Sequence, residues 1–186
     1  EGSAFIGRTV IGGIAGGIVG VELSKKLVGY ARSTGDAFAL AIPLGHAIGR
    51  IGCLLHGCCF GTPSELPWTV HYPAGSYAYA TQLRDGLLAP GKAQSLAVHP
   101  APLYELVFDL TLWLLLLYAR PRLHAHGSLF RLYLTAYALF RFLAEFVRGD
   151  SAPPVGFAFK PVQIVLMAAF VYYGLRLLRR ERAAAV

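Results

Sequence analysis

Long apolar stretches are the feature that most constrains what this chain can fold into. Five of them approach the length of about 20 residues that crosses a hydrocarbon core of roughly 30 Å. They cover residues 9–24, 37–57, 103–119, 129–147 and 161–178. Only 15% of the 186 residues are charged, which leaves too little charge to coat a soluble globule. We therefore predict an all-α, polytopic membrane bundle of about five transmembrane helices, one transmembrane domain over 1–186 with an exterior loop at 58–102. That loop holds many of the proline and glycine residues, which predict turns and short helices.

The distribution of basic residues predicts the orientation of these spans. The net charge is +7, but the basic residues lie scattered between apolar runs and form no continuous stripe for nucleic acid. Most of them follow the first, third and fifth spans, which the positive-inside rule assigns to the cytoplasm. They are Lys25, Lys26, Arg32, Arg120, Arg122, Arg131, Arg176, Arg179, Arg180 and Arg182. We expect an exterior N-terminus, a cytoplasmic C-terminus and no signal peptide, because no charged leader with a small-residue cleavage site is visible.

The first span is short and rich in glycine. Gly12, Gly16 and Gly20 repeat the small-xxx-small spacing that lets membrane helices approach closely. We expect this span to pack inside the bundle.

Polar side chains concentrate at one end of three other spans. They are His46, Arg50, Cys53 and His56 in the second span, His99, Tyr104, Glu105 and Asp109 in the third, and Arg141, Glu145 and Arg148 in the fourth. Spacings of three or four residues place neighbours on one helix face. Charge inside a membrane is costly and indicates a functional site. The predicted topology brings all three groups to the exterior leaflet.

Arginine is suited to phosphate because its planar fork donates two parallel hydrogen bonds and keeps its charge when partly desolvated. Arg50, Arg141 and Arg148 therefore predict a site for a lipid headgroup. A structural alternative is that Arg141 and Glu145 form an ion pair between helices and that Arg148 extends to the interface. His124 and His126 fall in a cytoplasmic turn and are expected to be solvated.

Three cysteines, Cys53, Cys58 and Cys59, lie within seven residues and allow several chemistries. They could form a disulfide on an oxidising side, a metal site, a reactive thiolate beside arginine, or plain helix packing. The CxxxxCC spacing matches no standard zinc pattern, and we expect no metal and no cofactor.

Three motifs carry a resemblance to a known family. GRIGCLLHGCCFG is similar to GR(I/L)GNFxNGExxG, HPAPLYE to HPxQLYE, and FRFLAEFVRGD to FRxxxEFxRxPD, while PVQI resembles a GQ pair before the last helix. On these motifs the chain resembles prolipoprotein diacylglyceryl transferases. Those bacterial inner-membrane enzymes move diacylglyceryl from phosphatidylglycerol onto the cysteine thiol of a lipoprotein precursor.

The resemblance and the chemistry of the residues together suggest a role for each. We expect substrate binding by Arg50, Arg141, Arg148, Tyr104, Glu105, Cys53 and Gln163. For catalysis we expect His56 or His99 as the base, since histidine is the commonest general base. Cys58 or Cys59 is an alternative, as a covalent acceptor of the lipid, and Glu145 is expected to orient Arg141. The expected partners are phosphatidylglycerol and a lipoprotein precursor, with no nucleic acid.

The chain departs from the family pattern where thiol activation is concerned. IGGIAG stands in place of HGGLIG, so Ile11 occupies the position of a histidine that is proposed to take part in that step. Cys53, His56 and Cys58 replace the Asn, Asn and Glu of the signature. Further N-terminal helices of the family are also missing here. An alternative prediction is therefore a non-catalytic lipid-binding, anion-binding or thiol-redox protein on the same scaffold.

Overall fold

Six α-helices form the fold in the computed structural model, which describes residues 10–149 and 159–184. They are α1 (Val10–Leu27), α2 (Gly35–His56), α3 (Tyr77–Arg84), α4 (Ala101–Ala119), α5 (Ser128–Ala144) and α6 (Pro161–Ala184). A short 3-10 turn, Arg120–Arg122, follows α4. Within the described ranges the only β pairing consists of isolated bridges. The prediction of an all-α membrane protein is confirmed.

Each of the five predicted spans is a helix. Three are long and apolar enough to cross a membrane: Gly35–His56, Ala101–Arg122 and Pro161–Ala184. The other two are less suited to crossing, because α1 carries the charged residues Glu22, Lys25 and Lys26 and α5 has 17 residues. That all five helices cross the membrane therefore stays a prediction.

Two helix ends differ from their predicted positions for physical reasons. α6 continues past residue 178 because Glu181 in its last turns accepts hydrogen bonds from the backbone N–H groups of His124 and Ala125, at 3.0 and 3.1 Å. α5 ends at Ala144 rather than at residue 147. The backbone that follows leaves the helix because it pairs with the loop after α2.

The chain divides into two compact units, Glu1–Ser33 and Thr34–Val186. In the first, α1 ends at a left-handed Gly29 with φ +69°. A Cβ added at Gly16 or Gly20 would meet no atom of the described residues within 4 Å. The expected packing of α1 inside the bundle stays a prediction.

The second unit contains the other helices, in which α2 packs along α4 and α5 along α6. α5 also contacts α2 and α4, and the rings of Phe108 and Phe140 stack between α4 and α5 at 3.8 Å. Leu116 and Tyr133 are fully buried at these interfaces. The helix pairs thereby hold the polar ends of α2, α4 and α5 at a common level.

An aspartate caps a helix at the opposite end of this unit. The Asp36 carboxylate accepts hydrogen bonds from the N–H groups of Gly127 and Phe130, at 2.8 and 3.2 Å, where α5 begins. An acceptor at a helix N-terminus satisfies otherwise unpaired N–H groups and favours the helix dipole.

Asp36→Ala is therefore expected to lower the free energy of unfolding by about 1 kcal/mol. Unfolding of the purified protein in detergent, followed by circular dichroism, measures this. Asp85→Ala is the control, because the Asp85 side chain forms a pair with Arg84 at the surface. Equal effects of the two substitutions would contradict the capping role.

The segment between α2 and α4 folds as a cap. It contains α3 and the bridges Pro63↔Val98, Val70↔Val98 and Pro73↔Gln94. Phe60, Tyr72, Ala78 and Val98 form its small core. The prediction of turns with a short helix in loop 58–102 is confirmed. The cap leads the chain from the end of α2 directly to the start of α4.

Candidate functional site

Backbone hydrogen bonds join the three polar motifs. The N–H of Gly61 donates to the carbonyl of His99 at 2.9 Å, and the N–H of Thr62 donates to the carbonyl of Val147 at 2.8 Å. The N–H of Gly149 donates to the carbonyl of Phe60 at 3.2 Å. The ends of α2 and α5 and the start of α4 therefore meet at one place. Asp150, the last residue of the third motif, lies outside the described residues.

Gly61 lies at the centre of this junction, in a position that has no room for a side chain. A Cβ at this position would lie 2.4 Å from the Cβ of His99 and 2.6 Å from the carbonyl oxygen of Val147. Both neighbours are held by the backbone pairing, so neither can move away without breaking it.

Gly61→Ala is expected to lower the free energy of unfolding by about 1–3 kcal/mol, the usual cost of overpacking. Thermal unfolding in detergent measures the loss. Gly45→Ala is the matched control, since an added Cβ there meets no atom within 4 Å and alanine favours a helix. An unchanged midpoint for Gly61→Ala would show that the junction is not tightly packed.

Glu105 holds two of the predicted arginines. Its carboxylate contacts Nη2 of Arg50, and its Oε1 lies 2.8 Å from Nη1 of Arg148. Glu105 is 1% exposed and Arg50 is 7% exposed, so these charges are almost fully removed from solvent. α2, α4 and the end of α5 each supply one member of this group.

A buried pair below this group was not given a role in the sequence analysis. His46 Nδ1 lies 2.8 Å from Asp109 Oδ2, and His46 Nε2 lies 3.9 Å from Glu105 Oε2. His46 precedes Arg50 by four residues, and Asp109 follows Glu105 by four. That repeat on two facing helices was the signal that could have identified the pair. The pair extends the ionic network one helical turn further along α2 and α4.

A second ionic group forms between α5 and α6. Arg141 pairs with Glu145, and Lys160 Nζ lies 3.7 Å from the same carboxylate. Lys160 also donates to the carbonyls of Glu145 and Arg148, at 2.7 and 3.4 Å. The Gln163 side chain accepts from the Lys160 N–H at 2.8 Å and donates to the Phe142 carbonyl at 3.2 Å. Lys160 is the residue whose involvement the sequence did not indicate.

Tyr137 connects the two ionic groups. Its ring meets that of His46 edge-on with centroids 6.0 Å apart. The residue also interacts electrostatically with both Arg50 and Arg141. The phosphate-binding residues predicted on α2 and α5 therefore share one neighbourhood.

Tyr104 and His99 form a hydrogen-bonded pair at the start of α4. The indole Nε1 of Trp68 donates to the Tyr104 hydroxyl at 2.8 Å, and that hydroxyl lies 3.1 Å from His99 Nδ1. The indole N–H only donates, so the Tyr104 proton is left for another acceptor, and His99 Nδ1 lies within reach. In the tautomer of His99 that accepts this proton, the imidazole proton lies on Nε2.

His56 is placed differently. It lies exposed in the last turn of α2, and its ring makes no hydrogen bond or ion pair with any residue that the structure describes. Of the two histidines predicted as alternative bases, His99 is hydrogen-bonded to Tyr104, whereas His56 is not engaged by any described residue.

The three cysteines lie together just beyond α2. Their Sγ atoms are all within 4.8 Å of one another, all three thiols are free, and all are partly exposed. Arg50 Nη1 lies 3.7 Å from Cys53 Sγ. Burial, with the neighbouring thiols Cys59 and Cys53 adding to it, raises the pKa of Cys58 to about 12. Unaided, Cys58 therefore stays protonated at neutral pH and is a poor nucleophile.

Cationic side chains and carboxylates lie close together in this region. The cationic side chains are Arg50, Arg141, Arg148 and Lys160, and the carboxylates are Glu105, Asp109 and Glu145. Guanidinium groups that carboxylates hold in place and that keep their charge when desolvated are suited to bind an anion.

Comparisons with known proteins agree with the motifs. The sequence profile described as prolipoprotein diacylglyceryl transferase matches residues 3–178. Three relatives are phosphatidylglycerol–prolipoprotein diacylglyceryl transferases. Those from Clostridium tetani and Dehalococcoides mccartyi (strain BAV1) are each 31% identical to this chain, and the one from Corynebacterium diphtheriae is 32% identical. The matches cover 77%, 95% and 95% of this chain, but 53%, 64% and 63% of those proteins. The chain thus spans between half and two thirds of their length.

Proposed function

The chain belongs to the prolipoprotein diacylglyceryl transferase family, and on that basis we propose that it transfers diacylglyceryl from phosphatidylglycerol to a thiol acceptor. The acceptor we propose is the cysteine of a lipoprotein precursor, in keeping with the names of its relatives. The observation that supports this most strongly is the buried Arg50, which Glu105 holds in place where the three motifs meet.

One donor of Arg50 is available to a ligand. The Nε of Arg50 is buried and has no hydrogen-bond partner among the described residues. An unsatisfied buried donor is costly unless a ligand completes it. A phosphate oxygen would supply the missing acceptor.

The ion pairs give each side chain a role in the transfer. Glu105 orients Arg50, and Glu145 orients Arg141, so both guanidinium groups face the phosphate in fixed positions. In the reaction, the acceptor thiolate attacks the glyceryl carbon, a carbon–sulfur bond forms, and the bond from that carbon to the phosphate oxygen breaks. The electron pair leaves with glycerol phosphate, whose growing negative charge Arg50 and Arg141 stabilise.

The hydrogen bonds distinguish the two candidate bases. His99 is engaged by Tyr104, and in the tautomer in which Nδ1 accepts from that hydroxyl it positions groups at the site instead of accepting a proton. His56 is exposed, two residues from Cys58. We assign the transfer of the acceptor proton to solvent to His56, since its imidazole is not engaged by any described residue and histidine is the commonest general base.

The membrane setting follows from the same features. We place the protein as a multi-pass protein of the bacterial inner membrane, with its N-terminus outside and its C-terminus in the cytoplasm. The basic ends of α1, α4 and α6 support that orientation. The site then lies at the exterior leaflet, where phosphatidylglycerol enters laterally.

A reconstituted assay tests this function. The purified chain, in vesicles of phosphatidylglycerol, is mixed with a peptide that carries a lipoprotein-type cysteine, and released glycerol phosphate is measured. We expect release only when both the lipid and the thiol are present. A peptide with serine in place of cysteine and vesicles of phosphatidylethanolamine are the controls. Absence of release, with phosphatidylglycerol binding still lost in Arg50→Ala, would exclude the transferase and favour a lipid-binding protein.

A further inference from the structure

The three thiols beyond α2 lie close enough to share a ligand, and they are the only cysteines in the chain. Cys53 lies on the last turn of α2, and a left-handed Gly57, at φ +72°, turns the chain back so that Cys58 and Cys59 approach it. The N–H of Cys58 donates to the carbonyl of Cys53 at 3.2 Å, which fixes this turn. Cys59 itself has φ 58°, a conformation that a non-glycine residue rarely adopts.

We infer that Cys53, Cys58 and Cys59 form a binding site for a thiophilic d10 cation such as Zn²⁺. Zinc binds thiolates at about 2.3 Å, and tetrahedral geometry then separates the sulfur atoms by about 3.8 Å. The Sγ atoms here lie within 4.8 Å of one another, so closing around an ion needs side-chain shifts of about 1 Å or less. Sulfur donors select zinc or monovalent copper over harder ions.

The set of donors leaves one coordination position open. No fourth His, Cys, Asp or Glu joins the three sulfur atoms among the residues that the structure describes. Zinc sites with three protein ligands and an open position are those that bind a reacting group, whereas structural sites are closed by four ligands. Partial exposure of all three cysteines leaves that position accessible.

The neighbouring arginine makes the charge of such a site tolerable. Three thiolates and a divalent cation carry one excess negative charge. Arg50, 3.7 Å from Cys53 Sγ, lies beside them to balance it. The ion would therefore sit next to the side chain that we assign to the phosphate.

We assign the open coordination position to the acceptor thiol, an assignment that rests on the proposed function. The acceptor thiol binds the ion through sulfur and releases its proton to solvent, because a coordinated thiol is deprotonated. The bound thiolate then attacks the glyceryl carbon, and glycerol phosphate leaves with the electron pair. The ion would thus assist activation of the acceptor thiol, the step for which the sequence lacks the family's histidine.

Metal binding by the purified chain tests the site. After reduction, loading with Zn²⁺ and dialysis, we expect one retained zinc ion per chain and protection of the thiols from a thiol reagent. Cd²⁺ should give a thiolate-to-metal absorption band in the ultraviolet. Cys53→Ser, Cys58→Ser and Cys59→Ser should each weaken zinc binding by at least about 10-fold. Loss of a residue that only hydrogen-bonds to a metal ligand already weakens metal binding by that much. His126→Asn, which removes an exposed metal-capable side chain elsewhere, should retain zinc.

Two results would overturn the site. One is zinc binding that the serine variants leave unchanged. The other is the absence of zinc binding together with two thiols that react only after addition of a reductant, which indicates a disulfide pair.

The release assay separates the site from the proposed function. Loss of glycerol phosphate release after chelation, with recovery on adding Zn²⁺, supports activation of the acceptor by the ion. Unchanged release after chelation overturns that activation and leaves the transferase intact. Absence of release in a chain that holds zinc through its cysteines overturns the transferase and the acceptor role while supporting the metal site.

Discussion

Replacing Glu105 by glutamine is expected to lower the free energy of unfolding by about 3–5 kcal/mol, the cost of removing one partner from a buried ionic group. The carboxylate contacts both Arg50 and Arg148 and is 1% exposed. Glutamine keeps the shape and removes the charge. Two guanidinium groups would then face each other in a region with little access to solvent.

Unfolding in detergent, followed by the loss of helical circular dichroism, measures this effect. Glu65→Gln provides the control, because that side chain is exposed on the cap. A double-mutant cycle of Glu105→Gln with Arg148→Gln measures how much of the loss belongs to the pair that these two residues form. A loss below about 1 kcal/mol, the range of surface pairs, would mean that solvent reaches this group.

Arg50→Lys is expected to reduce the rate of glycerol phosphate release by about 10²–10³-fold, the usual effect of removing one transition-state donor. Lysine keeps the charge, but its donors are on a single nitrogen, so it cannot span the distance between Glu105 and the phosphate as the planar guanidinium does. Because the charge remains, phosphatidylglycerol should still bind. The expected change is therefore in kcat more than in KM.

Steady-state kinetics over a range of phosphatidylglycerol contents in mixed vesicles separates the two constants. Arg84→Lys is the control, since Arg84 lies exposed on α3 and pairs only with Asp85 among the described residues. Unfolding must be measured in parallel, because Arg50 also neutralises Glu105. A variant that stays folded and retains full kcat would remove Arg50 from the reaction.

Much of the fold could be predicted because length and apolar character determine where a membrane helix lies. The five apolar stretches became helices, and the polar residues at their ends met as the motif order indicated. The turns of loop 58–102 were readable from its proline and glycine. The end of α5 was not, because it depends on backbone pairing between residues about 90 positions apart.

The parts of the site that escaped prediction depend on helix rotation and on the path of the cap. Asp109 and His46 face each other only when α2 and α4 pack in one particular register. Lys160, just before α6, pairs with Glu145, just after α5, and this depends on how the two helices pack. The approach of Cys59 to Cys53 requires a left-handed turn that the CxxxxCC spacing does not reveal.

The junction at Gly61 joins its neighbours through main-chain atoms alone, which has a consequence for how such a site can diversify. The bonds from Gly61, Thr62 and Gly149 involve no side chain, so they do not specify the chemistry of the signature turn beside them. Exchanging amide and carboxylate groups for Cys53, His56 and Cys58 leaves that join intact. The side chains of the signature turn can therefore change while the backbone junction persists. The arginines keep their positions, and the turn beside them can acquire a different acceptor chemistry.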